Sequence, residues 1–214
     1  MKYQLIIFDW DGTLMDSIDK IVICMQAAAK QENQLIPSAQ NVKNIVGLSL
    51  QTAMEKLFPS LSLSAQTLLV DAYRYQYNQH HHVETPFYHG ISNMLNNLKS
   101  QGYILAVATG KGRNGLNRMM EITNTAHFFS ATICADEANS KPDPLMITLL
   151  LERLNITPDQ AIMIGDSSYD LDMAKNADIK SIGVSYGVHD AMTLKLSNPI
   201  VILDSLPKQL QQFI

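Results

Sequence analysis

Five short apolar runs, each ending in a polar or glycine-containing turn, constrain this chain more than any other feature: Tyr3 to Phe8, Tyr103 to Ala108, Ala131 to Ala135, Ala161 to Ile164 and Ile179 to Val184. Apolar runs of this length, without polar alternation, read as strands buried on both faces, the pattern of a parallel sheet. Helical patterns lie between the later runs. Ile91, Met94, Leu95 and Leu98 share one face and stop at Gly102, and Leu145, Leu149 and Leu150 follow a helix start at Pro144. Strand and helix therefore alternate, and an α/β fold with a doubly wound parallel sheet is expected. Ligands of such sheets lie beyond the carboxyl ends of the strands. The residues that close the runs, Asp9, Thr109, Asp136 and Asp166, are the first candidates for chemistry.

One segment breaks the alternation. From Ser17 to about His82 the spacing is helical and no convincing strand occurs, so an inserted helical domain is expected over residues 15–83, with residues 1–14 and 84–214 forming the core. Its first helix places Ile18, Ile21, Val22 and Met25 on one face with Asp16 or Ser17 as N-cap, and Ser64 is the expected cap of a last helix carrying Leu68, Leu69 and Ala72. The helical pattern lapses around Gly47. The connections to the core, near Met15 and over Val83 to Tyr88, are short, which fits a lid hinged on two strands of chain.

Composition narrows the partners. A formal charge of -4 with no run of Lys or Arg gives no footprint for nucleic acid, so a small substrate is expected. The longest apolar stretches, such as Leu145 to Leu151, are too short to span a bilayer, which argues against a membrane protein. The two cysteines, Cys24 and Cys134, have no metal-type spacing, and Asp9 cuts short the first apolar run before it could serve as a cleavable signal. A reducing cytoplasm is the expected location.

Asp9 and Asp11 flank Trp10 where the first run ends, and residues two apart on extended chain point to the same side. Two carboxylates then share one site, where mutual repulsion drives their pKa values apart, as suits a nucleophile beside a general acid. Gly12 permits a sharp backbone turn near a ligand, and Thr13 adds a hydroxyl.

The full string FDWDGTLMDS, from Phe8 to Ser17, is far more specific than a bare Asp-x-Asp and resembles motif I of the haloacid dehalogenase superfamily of hydrolases. The resemblance implies that Asp9 is the nucleophile and Asp11 the general acid and base. Asp16 and Ser17 read as helix capping. Thr109, in the stretch ATGK, is similar to the second motif, in which the hydroxyl and the backbone N–H of Gly110 hold a phosphoryl oxygen. Many relatives carry Asn where this chain has Gly110. Lys111 reads as solvated. Lys141, in KPDP, matches the third-motif lysine, whose ammonium pairs with the nucleophile and the phosphoryl group.

The stretch GDSSYD resembles the fourth motif, with Asp166 at the strand end and Asp170 four residues on. By that resemblance Asp9, Asp166 and the backbone carbonyl of Asp11 bind magnesium, and Asp170 acts through water or by orienting Lys141. His80, His81 and His82 read as a solvated helix end, and Met94, Met119 and Met120 as core. Asp136 and Glu137 have at most a supporting role.

The resemblance spans the chain as a Rossmann-like core with an inserted helical cap, most similar to the phosphoglycolate phosphatase-like branch. It implies a magnesium-dependent phosphatase that hydrolyses the phosphate monoester of a small metabolite through a phosphoaspartate on Asp9. Asp11 argues against carbon–halogen cleavage, and no cap lysine suited to a phosphonatase is identified. A phosphoglucomutase-like enzyme stays open, although the loop Gly47 to Leu50 lacks the arginine expected of that group, and pyrophosphatase and nucleotidase activities stay open as well. Asp136 and Lys141 also invite a phosphoaccepting signalling module without turnover, which the long helical insertion and the DWDGTL string fit poorly. Residues of the cap are expected to choose the substrate, with the irregular stretch at Gly47, Leu48 and Ser49 as the leading candidate and an ordinary interhelix turn as the alternative reading of it.

Overall fold

The computed structural model describes residues 2–80 and 83–214. The chain begins with strand β1 (Leu5–Phe8) and passes into four helices, α1 (Ile18–Gln31), α2 (Ala39–Lys43), α3 (Leu50–Leu57) and α4 (Leu63–Gln79). Alternation then sets in with α5 (Ile91–Ser100), β2 (Ile104–Thr109), α6 (Arg113–Thr123), β3 (Ala131–Cys134) and α7 (Leu145–Leu154). It continues through β4 (Ala161–Gly165), α8 (Ser168–Asn176), β5 (Lys180–Val184), α9 (Ala191–Lys195), β6 (Val201–Leu203) and α10 (Leu206–Gln209).

All six strands are parallel, in the order β3-β2-β1-β4-β5-β6. The side-chain period of two divides β1 between two cores. Ile6 and Phe8 join a cluster with Ile91, Leu95, Leu98 and Leu116 on one face, while Leu5 and Ile7 join Met146, Ile147, Leu150 and Met173 on the other. Both faces are covered, which is why the strands read as unbroken apolar runs. Strand order reverses between β1 and β4, so the loops after these two strands border the crevice of a doubly wound sheet.

Helices α1 to α4 build a core of their own, in which Ile21, Val22 and Met25 pack with Val42, Met54, Leu69 and Val70. The chain enters and leaves this insertion along two segments that pair with each other. Met15 and Phe87 form an antiparallel bridge, the Asp16 N–H donates to the Pro86 carbonyl at 2.9 Å, and the Tyr88 N–H donates to the Leu14 carbonyl at 3.0 Å. Trp10 is fully buried beside this ribbon, edge-on to Phe87 and Phe129, and anchors the turn that follows β1.

Several local expectations change. The edge strand β6 contributes only three residues to the sheet, too short a run to stand out beside its neighbours. Ser62, and not Ser64, caps α4 by accepting from the Ala65 N–H, because the helix begins at Leu63. Ser17 does occupy the N-cap position of α1, yet its hydroxyl makes no capping bond, and Asp16 lies outside the helix. On α7 the buried face is Met146, Ile147, Leu150 and Leu151, with Leu145 and Leu149 only half-buried. His80 is a half-buried C-cap of α4, and His81 and His82 lie outside the described residues. Met94, Met119 and Met120 are buried in the sheet core. Among the described residues no helix is long and apolar enough to cross a membrane.

Candidate active site

Parallel pairing places the residues after the central strands side by side. Phe8 is in register with Val107 on one side and Ile164 on the other, and the Asp9 N–H donates to the Ile164 carbonyl at 2.9 Å. Asp9, Thr109 and Asp166 therefore emerge together at the carboxyl edge of the sheet, all three buried. Above this edge is a cavity of about 740 Å³, with Asp9, Asp11 and Thr109 in its floor. Its walls carry Leu48 and Tyr77 of the insertion and Lys111 and Arg118 of the core.

Lys141 reaches Asp9 from beneath the floor, from the loop before α7, and is fully buried. Its ammonium donates to Asp9 Oδ1 at 2.7 Å and to Asp170 Oδ1 at 2.6 Å. Burial depresses the charge of Lys141, but Asp170 and Asp9 more than offset this and hold its pKa above the usual lysine range. The other oxygen of Asp170 accepts from the Ser167 hydroxyl at 2.6 Å and the Ser167 N–H at 3.1 Å, which closes a capping box at the start of α8. Asp170 is thereby tied both to Lys141 and to the start of α8.

Asp166 accepts from the Thr13 hydroxyl at Oδ1 and from the Val188 N–H at Oδ2, both at 2.8 Å. The turn after β1 must pass close over this carboxylate: Gly12 has φ +85°, and a Cβ there would stand 2.3 Å from Asp166 Oδ2. Only glycine fits that approach without strain.

The cavity floor and the buried layer beneath it carry more carboxylates than ammoniums. Asp9, Asp11, Asp166 and Asp170 face Lys141 and Lys111. Burial, and then the neighbouring Asp170, push the Asp166 carboxyl up to about 7. Burial also raises Asp9, Lys141 draws it back down in part, and Asp170 and Asp166 raise it further. One oxygen from each of Asp9, Asp166 and Asp170 lies within 4.8 Å of the others, and Asp9 Oδ2 is buried without a hydrogen-bond partner. Hard oxygen donors at this spacing, with an orphaned acceptor and excess negative charge, fit a divalent cation.

Asp11 is held at both oxygens. The Ser17 hydroxyl donates to Oδ1 at 2.6 Å, and the Lys111 ammonium stands 3.0 Å from Oδ2. Both partners depart from the sequence reading. Ser17 looked like a helix cap because a serine precedes an apolar-periodic segment, and its hydroxyl turns back to the Asp-x-Asp loop instead. Lys111 looked solvated, yet its side chain is only 11% exposed. Desolvation pulls its pKa down, and Asp11 beside it more than restores it, so that it stays charged.

Thr109 is buried, and its oxygen accepts the Lys111 N–H at 3.1 Å. Gly110 sits under the irregular loop of the insertion: a Cβ on it would lie 2.4 Å from the Leu48 carbonyl oxygen and 2.5 Å from that of Gly47. The Ser49 N–H donates to the Ser140 hydroxyl at 2.9 Å, one residue before Lys141. The loop at Gly47, Leu48 and Ser49 thus packs directly on the core. Asp136 accepts the Arg113 N–H at the start of α6, and Glu137 pairs with the Arg113 guanidinium. Both are structural supports of that helix.

The model of the haloacid dehalogenase-like hydrolase family matches residues 6–184. A phosphoglycolate phosphatase of Vibrio cholerae is 31% identical, with 95% of this chain and 93% of that protein covered. A pyrophosphatase of Bacillus velezensis is 28% identical, with 96% and 94% covered. A crystal structure described as a predicted phosphatase from Clostridium acetobutylicum is 29% identical and superposes with a TM-score of 0.88 over 100% of both chains.

Proposed function

Because this chain belongs to the haloacid dehalogenase-like hydrolase family, we propose that it hydrolyses a small phosphate monoester by way of a phosphoaspartate on Asp9, as a phosphoglycolate phosphatase-like enzyme. The observation that carries this reading is the floor of the cavity. Asp9 has one oxygen pinned by Lys141 and the other without a donor, directly beneath a space lined by Asp11 and Thr109.

In the first step Asp9 attacks phosphorus in line, a bond from Asp9 oxygen to phosphorus forms, and the bond to the leaving alcohol breaks. The Thr109 hydroxyl and the Gly110 N–H hold a phosphoryl oxygen, and Lys141 offsets charge on the phosphoryl group. Asp11 gives its proton to the departing alkoxide. In the second step Asp11 takes a proton from water, whose oxygen attacks phosphorus, and Asp9 leaves as carboxylate. Asp9 and Asp166, with the backbone carbonyl of Asp11 and the neighbouring Asp170, would hold magnesium. Bound there, the ion supplies positive charge against the phosphoryl oxygens. The helical insertion over residues 15–83 acts as a cap that excludes bulk water.

A phosphate-release screen over small phosphate esters, with inorganic pyrophosphate included on account of the Bacillus relative, tests this reading. Many phosphates per chain are expected with magnesium, none after chelation, and recovery on adding magnesium back. Full activity after exhaustive chelation would remove the metal from the site. A single phosphate per chain would point to a phosphoaccepting module instead.

Selectivity is proposed to lie in the cap loop at Gly47, Leu48 and Ser49. Gly110→Ala puts a methyl group against two backbone carbonyls of that loop, which cannot rotate aside as a side chain can. The loop must shift, and a contact worth about 1.4 kcal/mol changes one substrate's efficiency tenfold. Relative kcat/KM values across an ester panel should therefore be re-ordered while magnesium dependence stays as in the parent. An unchanged ranking would make the loop a mere connector.

A further inference from the structure

We propose that Lys111 is a positioning residue for Asp11, and that Tyr77 of the insertion makes this positioning depend on the seating of the insertion over the core. The inference rests on the reading of Asp11 as general acid and base. Two buried ammoniums divide the site between them. Lys141 serves Asp9 and Asp170, whereas Lys111 approaches Asp11 alone among the carboxylates of the described residues, at 3.0 Å.

With Lys111 on Oδ2 and the Ser17 hydroxyl on Oδ1, the Asp11 carboxylate is fixed in rotation, as proton transfer to a defined leaving-group oxygen requires. The two holders come from different bodies. Ser17 opens helix α1 of the insertion, and Lys111 belongs to the core loop after β2. Lys111 is itself bracketed by the insertion, since its ammonium lies 5.0 Å from the centroid of the Tyr77 ring on α4. A second insertion residue, Lys20 on α1, lies 4.6 Å from the same ring. Moving α4 away from the core would take the aromatic face from Lys111 and leave its ammonium free to swing toward water. The acid is then held in working geometry only when the insertion is seated, which couples proton delivery to exclusion of solvent.

The test compares single-turnover phosphoryl transfer from an alkyl phosphate, which needs a proton on its leaving oxygen, with that from an activated aryl phosphate, which does not. Asp11→Asn sets the reference, with a large loss for the alkyl ester and a small one for the aryl ester. Lys111→Met is expected to lower the alkyl rate roughly tenfold or more and the aryl rate much less, with Lys111→Arg partly restoring the ratio. Tyr77→Leu should show the same leaving-group dependence in weaker form. Adding Lys111→Met to Asp11→Asn should cost nothing further, because the two act as one unit.

The ratio of the two rates does not depend on how much of a variant is folded, so a destabilised variant still gives an answer. Equal losses for both esters in Lys111→Met, or full additivity with Asp11→Asn, overturns the positioning role. A Tyr77→Leu ratio equal to that of the parent overturns the link to the insertion. If Asp11→Asn itself shows no leaving-group dependence, the acid assignment beneath the proposal fails, and the proposal with it.

Discussion

Asp9→Asn should reduce phosphate release to background while the protein keeps its fold and its cooperative thermal transition. The amide nearly matches the carboxylate in shape, and its oxygen can still accept from Lys141, but it cannot act as the ionised nucleophile. Stability in the absence of metal should not fall. Burial and the neighbouring Asp170 and Asp166 disfavour charge at this position, and the neutral side chain relieves that crowding. Phosphate release and thermal unfolding, measured on one preparation, separate the two statements. Appreciable turnover in a folded Asp9→Asn protein would sink the phosphoaspartate mechanism.

Lys141→Met should be nearly as damaging, through stability as well as activity. Its ammonium is fully buried between two buried carboxylates, and removing one partner of such an ion pair costs about 3–5 kcal/mol because the remaining charges are left uncompensated. In a chain of this size that corresponds to a fall in Tm of roughly 10 °C. Loss of its charge opposite the phosphoryl group should lower kcat by about 10²–10³. Lys141→Met combined with Asp170→Asn separates the two effects. Neutralising Asp170 relieves part of the crowding, so Tm should recover in part while activity does not. Recovery of activity along with stability would reduce Lys141 to a structural partner of Asp170.

The residues legible in the sequence are those whose position follows from a strand end. Asp9, Thr109 and Asp166 close apolar runs, and parallel pairing of those runs is sufficient to bring them together. Lys141 lies in a loop and gained its place only from the order of motifs along the chain. Asp170 came only from the resemblance to the fourth motif, which left its role open between a contact through water and orientation of Lys141; it falls in the first turn of α8.

Ser17 and Lys111 were not legible, for a common reason. Local pattern assigns a serine before a helix to its N-cap and a loop lysine to solvent, and both residues are captured by Asp11 across a contact that no periodicity encodes. The significance of Gly110 was hidden in the same way. In the sequence it stood out only as a departure from the usual Asn, whereas the space it leaves is filled by the backbone of the Gly47 and Leu48 loop. The three-residue β6 fell below the length at which an apolar run signals a strand.

The paired connectors at Met15 and Phe87 have an evolutionary consequence. Bridged strands lie about 5 Å apart, so any segment whose two ends meet at that separation can be spliced into the sheet without altering strand order or register. The splice point is permissive in topology and exacting in chemistry. A grafted replacement would have to bring its own hydroxyl to Asp11 in place of Ser17, its own backbone to Gly110 and its own aromatic face to Lys111. New specificities in this scaffold should therefore arise more readily by drift within the resident helices than by exchange of the whole insertion.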